Sequence, residues 1–192
     1  MLGNLLDPHT VLGFVNTRRD RPSGRVETLR DPAATTTWLA DELGYAQPGP
    51  LSEAEHERIR AFRDSAQGLL RARLADGPPA PDDLLLLNRS SAAAPRSNQL
   101  HENWQTSSRF TGSGSADPHD LNELLAALAS ATISLAADPS GDLAECGADD
   151  CVVLFLRTDP RQRWHSERCG NRMRAARSYS KHKLNAQSQR SR

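Results

Sequence analysis

The chain has 192 residues, 37% hydrophobic, 25% charged and 5% aromatic, enough for one domain with a small added module and too short for two full-sized domains. Lys+Arg and Asp+Glu are 24 each, a formal net charge of +0, which argues against a uniformly basic nucleic-acid binder. No apolar run approaches the roughly 20 residues of a membrane span. Met1-Leu2-Gly3-Asn4-Leu5-Leu6-Asp7 lacks the basic start and sustained apolar core of a secretory signal. The 3 cysteines, all between Cys146 and Cys169, do not make a disulfide scaffold, so a reducing cytoplasm is the expected compartment.

Val11-Leu12-Gly13-Phe14-Val15-Asn16-Thr17 is a short apolar run that reads equally as a buried strand or a helical face. The polar stretch Arg18-Arg19-Asp20-Arg21-Pro22 ends it. Asp31-Pro32 then predicts an N-cap and first helical position, with Gly44 at the end and Trp38, Leu39 and Leu43 on one side. After Pro48-Gly49-Pro50, Ser52-Glu53-Ala54-Glu55 reads as a capping box for a long helix to about residue 75. Its apolar positions are Ile59, Phe62, Ala66, Leu69, Leu70 and Leu74, and Asp76-Gly77-Pro78-Pro79 stops it. Pro81-Asp82-Asp83 opens another helix ending near Pro95.

Residues 97–108 alternate in character and precede Gly112-Ser113-Gly114-Ser115, which predicts a strand or hairpin. Asp117-Pro118 starts a last helix of this region, through Leu121, Leu124, Leu125, Leu128, Ile133 and Leu135 to about Ala137. The expected architecture is therefore mainly α with a small β hairpin: a helical domain over 1–140, a compact C-terminal module over 141–186 and a disordered tail over 187–192.

Zero net charge hides a split. Residues 157–192 carry 11 Arg/Lys against Asp159 and Glu167, a net of +9, leaving −9 on residues 1–156. The change of sign coincides with Cys146-x4-Cys151, 13 residues, then His165-x3-Cys169. Two close pairs of soft and borderline ligands, separated by enough chain for a hairpin, suit one structural tetrahedral Zn2+. Val152-Val153-Leu154-Phe155-Leu156 between the pairs reads as a strand, and Cys169 as the start of a helix whose dipole favours its thiolate. Four protein ligands leave no open position for catalysis, and His182 is a reserve ligand. On the following helix Met173, Ala176, Ser180 and Leu184 would face the hairpin, with Arg174, Arg177 and Lys181 on the neighbouring face.

Arg163-Trp164-His165-Ser166, then Cys169-Gly170-Asn171-Arg172, with Cys146-x4-Cys151 upstream and a basic helix downstream, resembles the CGNR zinc finger, a bacterial module named after that tetrapeptide. In that family the finger follows a helical ABATE domain associated with stress-induced transcription regulation, whose start resembles Leu12-Gly13-Phe14-Val15-Asn16-Thr17. The resemblance implies a zinc-binding, nucleic-acid-binding cytoplasmic regulator. One departure is that the family pattern has Trp-Cys-Ser where this chain has Trp164-His165-Ser166. Three thiolates and a neutral imidazole give the metal centre a net charge of −1 instead of −2.

The leading expectation is a transcription regulator whose finger contacts DNA or RNA phosphates through Arg161, Arg163, Arg172, Arg174, Arg177, Lys181 and Lys183. Its N-terminal domain would sense or dimerise. One alternative is a protein-interaction module with a purely structural zinc. Another is a small-molecule binder with a pocket at Asn16 and Trp38, residues that serve equally well as a helix cap and as packing. Trp104 is likewise expected in the core or half-buried. With no phosphate loop, nucleophile elbow or paired carboxylates, no enzyme is expected.

Overall fold

The computed structural model describes residues 7–45, 47, 49–110 and 120–190, with the side chains of 96, 98, 99, 106–110 and 181–190 outside that description. The expected Gly112-Ser113-Gly114-Ser115 turn and the Asp117-Pro118 helix start lie outside the described residues. The elements are α1 (Pro8–Val15), β1 (Arg18–Arg21), β2 (Gly24–Glu27), α2 (Pro32–Leu43), α3 (Glu53–Leu74), α4 (Pro81–Ala93), β3 (Arg96–Leu100), β4 (Thr106–Phe110), α5 (Leu121–Ala137), β5 (Leu143–Glu145), β6 (Leu154–Leu156) and α6 (Glu167–Arg190). The fold is mainly helical, and its strands pair only as β1-β2, β3-β4 and β5-β6 among the described residues. None of the described helices is long and apolar enough to cross a membrane. The chain divides into two compact units: Met1–Arg18 with Val26–Gly141, and Arg19–Arg25 with Asp142–Arg192.

In the first unit, local chemistry sets the helix ends. The Val11 run is a helix: Asp7 accepts from the His9 N–H, Pro8 occupies the first turn, and Val11, Leu12, Phe14 and Val15 are buried together. Asp31 caps α2 by accepting from the Ala34 N–H. Gly44 ends α2 at φ +63°, a left-handed conformation open to glycine at little cost. The capping box at Ser52 and Glu55 is complete, each side chain bonding the other's backbone; the Ser52 hydroxyl and backbone N–H hold the Glu55 carboxyl below its ordinary pKa. α5 begins at Asp120, which accepts from the Asn122 N–H.

α5 is the centre of this core. Leu121, Leu124, Leu125, Leu128 and Leu135 are buried with Ala126, Ala127, Ala129 and Ala131, so the helix is apolar nearly all round. Ile59, Phe62, Ala66, Leu69 and Leu70 supply the buried stripe of α3, and Leu87 the buried apolar position of α4.

One cation lies inside this apolar packing. The Arg63 side chain is 0% exposed and forms a two-pronged pair with Glu27, Nη1 to Oε1 at 2.6 Å and Nη2 to Oε2 at 2.9 Å. Nη2 also lies 2.9 Å from Asp64 Oδ1, and Nη1 donates to Thr17 Oγ1 at 3.3 Å. One turn along α3, Gln67 Nε2 donates to the carbonyls of Val15 and Arg18 at 2.7 and 2.9 Å. A buried charge is tolerated only when paired and hydrogen-bonded; here the pairing fixes the end of α1 and the base of the β1-β2 hairpin on α3.

β3 and β4 form the expected hairpin, running in register from Arg96 opposite Phe110 to Leu100 opposite Thr106. Its turn corrects the expectation for Trp104: this side chain is 84% exposed, at φ +62°. The residue sits in the 101–105 turn, where its N–H donates to the His101 carbonyl, so the alternation that gives a strand residue a buried face does not extend to it.

Candidate metal centre

The second unit is built on the β5-β6 hairpin, with Leu143 opposite Leu156 and Glu145 opposite Leu154. Its core is small: Ala144, Cys146, Ala148, Val153, Phe155 and Cys169 are buried, with Cys151, Trp164 and Met173 packed against them. So few apolar side chains would hold a fold of this size only weakly. The cysteines are therefore both core residues and the means of cross-linking it.

The loop between Cys146 and Cys151 is closed by the Cys146 N–H to the Val153 carbonyl at 2.9 Å and the Cys151 N–H to the Ala148 carbonyl at 3.0 Å. Asp150 adopts φ +60°, which turns the chain into Cys151. The Gly147 N–H donates to the Arg163 carbonyl at 2.9 Å, bringing the second half of the motif alongside. Ser166 then stands immediately before α6, its Oγ accepting from the Cys169 N–H at 3.4 Å and its carbonyl from the Gly170 N–H at 3.2 Å. Cys169 thus lies in the first turn of a helix, as its sequence context predicted.

The donor atoms of Cys146, Cys151, His165 and Cys169 all lie within 4.8 Å of one another. Cys151 Sγ and His165 Nδ1 are 3.6 Å apart. A tetrahedral zinc with ordinary bond lengths sets S to N at about 3.6 Å and S to S at about 3.8 Å, so the Cys3His cluster fits one zinc ion. Burial pushes the Cys151 thiol up to about 11, helped by the neighbouring Cys146. Burial acts upward on Cys169 too, but hydrogen bonds from Ser166 and the other cysteines, together with Arg172, bring it below its ordinary value. His165 is held lower than usual, first by burial and then by Arg19, Arg172 and Arg21. A neutral imidazole is the form that ligates a metal.

The arginines named from sequence surround this cluster unevenly. Arg174 and Arg177 lie over the Trp164 ring at 5.9 and 6.0 Å, and Arg174 Nη2 also donates to Asn171 Oδ1 at 2.6 Å. Arg172 Nη2 donates to the Asp149 carbonyl at 2.7 Å. Arg161 and Arg163 are exposed. A Cβ on Gly170 would stand 3.2 Å from Trp164 Cε3 and 3.2 Å from Arg174 Nη1, so the glycine of Cys169-Gly170-Asn171-Arg172 leaves room for the tryptophan and its arginine. Lys181, Lys183 and the reserve ligand His182 lie on the helical backbone of α6, but their side chains lie outside the described residues.

Two expectations need correction. Of the face expected to pack on the hairpin, Met173 does so, its Sδ accepting from the Asp149 N–H at 3.3 Å. Ala176 and Ser180 are exposed because only the first turns of α6 pack against the small core. The helix also continues to Arg190, past the 186 boundary read from sequence.

Asn16 is the C-cap of α1, whereas Trp38 packs on Phe14 with ring centroids 5.8 Å apart. Trp38 borders an open groove of about 290 Å³ lined by residues 28–42 of α2 and the segment before it, without Asn16.

Sequence reasoning missed Arg19, Arg21 and Arg168, which line a cavity next to the cluster. The available signal was Arg19-Asp20-Arg21: on a strand, alternate residues share a face.

The donor set, the short hairpin and the capped helix define a zinc finger attached to a helical domain. Residues 8–139 match the ABATE family, described as "Putative stress-induced transcription regulator", and residues 143–182 match the CGNR zinc finger. The chain belongs to the ABATE family and carries a C-terminal CGNR zinc finger. A search of curated proteins gave no match.

Proposed function

We propose that Cys146, Cys151, His165 and Cys169 hold a structural zinc, and that the finger so formed binds nucleic acid through an arginine surface, the regulatory target being DNA. The observation that carries this reading is the placement of Arg174 and Arg177 against Trp164, directly beside the ligand cluster. Stacking holds both guanidiniums on one side of the finger, so less side-chain entropy is lost when they meet phosphates.

Arg161, Arg163 and Arg172 extend the surface, and Lys181 and Lys183 continue it along α6. Tyr179 is 72% exposed on the same helix, an aromatic face beside a basic one. Each neutralised phosphate releases counterions, so binding weakens as salt rises. A family description that names transcription favours DNA over RNA. Four protein ligands would leave no open position for catalysis, so a zinc held by them would serve to cross-link a unit whose own apolar core is small.

Zinc-loaded protein titrated with duplex DNA and with single-stranded RNA tests this reading. Tighter, salt-dependent binding to DNA, reduced in R174Q/R177Q, is expected. Equal affinity of that variant and the parent would contradict it.

A further inference from the structure

We propose that Arg19 and Arg21 of the β1-β2 hairpin, with Arg168 and Arg172 of α6, form a phosphate-binding pocket beside the Cys3His cluster. The four arginines line one cavity of about 290 Å³, together with Asp150 and three of the four cluster residues. All of these belong to the second unit, which takes in Arg19–Arg25 of the hairpin.

The alternation of β1 explains the arrangement. Arg19 and Arg21 share one strand face, while Asp20 pairs with Arg25 Nε at 2.6 Å. The buried Nε–H groups of Arg19 and Arg21 have no hydrogen-bond partner among the described residues, and both arginines line this one cavity. Buried donors without a partner are rare and point to a missing ion or water.

Charge points to an anion. Asp150 is the one carboxylate among the lining residues, and its oxygens already accept from Ser23. Even with Asp150 and a zinc centre of net charge −1 counted, four guanidiniums leave an excess of about two positive charges. Guanidinium forks match phosphate oxygens in two-pronged geometry. This goes beyond the finger reading, because the pocket recognises the phosphate whichever molecule carries it. It also makes a turn near the N-terminus part of the anion-binding surface.

The test uses the full zinc-loaded chain. The Arg Nε–Hε resonances of Arg19 and Arg21 are followed as inorganic phosphate replaces chloride at constant ionic strength. Duplex DNA affinity is measured in parallel for the parent, R19Q/R21Q and R174Q/R177Q. The expected result is a saturable shift of both resonances. A loss of DNA affinity in R19Q/R21Q of roughly tenfold to a hundredfold at about 0.1 M salt would assign the phosphate to a nucleic-acid backbone. The same shifts with unchanged DNA affinity in R19Q/R21Q would assign it to a free phosphorylated molecule.

Shifts in a protein that binds no DNA would leave the pocket standing and remove the nucleic-acid reading. Should R19Q/R21Q lose zinc, R19K/R21K keeps the charge but not the fork and is expected to bind phosphate more weakly than the parent. Absence of any shift at the two resonances with phosphate would overturn the pocket, even if R174Q/R177Q still weakened DNA binding.

Discussion

Ser23 and Asp150, 127 residues apart in the chain, are joined by two hydrogen bonds: the Ser23 N–H donates to Asp150 Oδ1 at 2.8 Å and the Ser23 hydroxyl to Oδ2. Asp150 is the residue whose left-handed conformation turns the chain into Cys151. The pair thus connects a hairpin turn near the start of the chain to the loop that carries two cysteines. These hydrogen bonds are also the main reason the Asp150 carboxyl sits below its ordinary pKa, ahead of Arg21 and Arg172.

Replacing Asp150 with Gly, which adopts the same left-handed φ freely and removes the carboxylate, is therefore expected to free the 22–24 turn while leaving zinc stoichiometry unchanged. Hydrogen exchange at the Ser23 amide measures it. Protection equal to that of the parent would mean the turn is held by other contacts.

Glu27→Ala removes the two-pronged partner of a fully buried guanidinium. Breaking a buried pair by deleting one member costs about 3–5 kcal/mol, and the remaining contact to Asp64 places this variant near the lower end. Urea denaturation of the whole chain gives the value; a loss below about 1 kcal/mol would place the Arg63 charge in a better-solvated setting than its burial indicates.

Metal removal is expected to act locally. A chelator should abolish the signals of β5, β6 and the start of α6 while helices α1 to α5 persist, because the second unit lacks an apolar core of its own size and the first does not. Loading must also displace the proton from Cys151, held up to about 11, so apparent zinc affinity weakens as pH falls. His165→Ala should lower zinc occupancy, and His165→Cys should preserve it. Full occupancy in His165→Ala would transfer the fourth ligand elsewhere.

Gly170→Val tests the packing beneath the arginine surface. The Arg174 guanidinium can move away from the added atoms, but the Trp164 ring is packed against the module core. An overpacking cost of about 1–3 kcal/mol and a changed Trp164 environment are expected, read by unfolding and by tryptophan fluorescence with Trp38 and Trp104 replaced by Phe.

The parts legible in the sequence were those written in local chemistry. Asp31-Pro32, Ser52 with Glu55, and Gly44 mark helix ends because caps act within four residues of themselves. The ligand cluster was legible because metal coordination imposes spacing on the chain. The β1-β2 hairpin was not: Arg18-Arg19-Asp20-Arg21 has no apolar alternation, and the residue that anchors its turn, Asp150, is remote in sequence. Arg63 looked like one more charge on an amphipathic helix because its partners Thr17 and Glu27 are 46 and 36 residues away. Val11 to Val15 lie in a helix because Asp7 and Pro8 start it, the same Asp-Pro signature that opens α2 at Asp31-Pro32.

If the zinc-organised arginine surface binds nucleic acid, the affinity of the zinc-loaded chain for duplex DNA must fall across a salt series. The expected result is a linear fall of log K with log salt, of slope about −0.9 for each phosphate neutralised, made shallower by about two in R174Q/R177Q. Negligible affinity at low salt, or an affinity indifferent to salt, would contradict it.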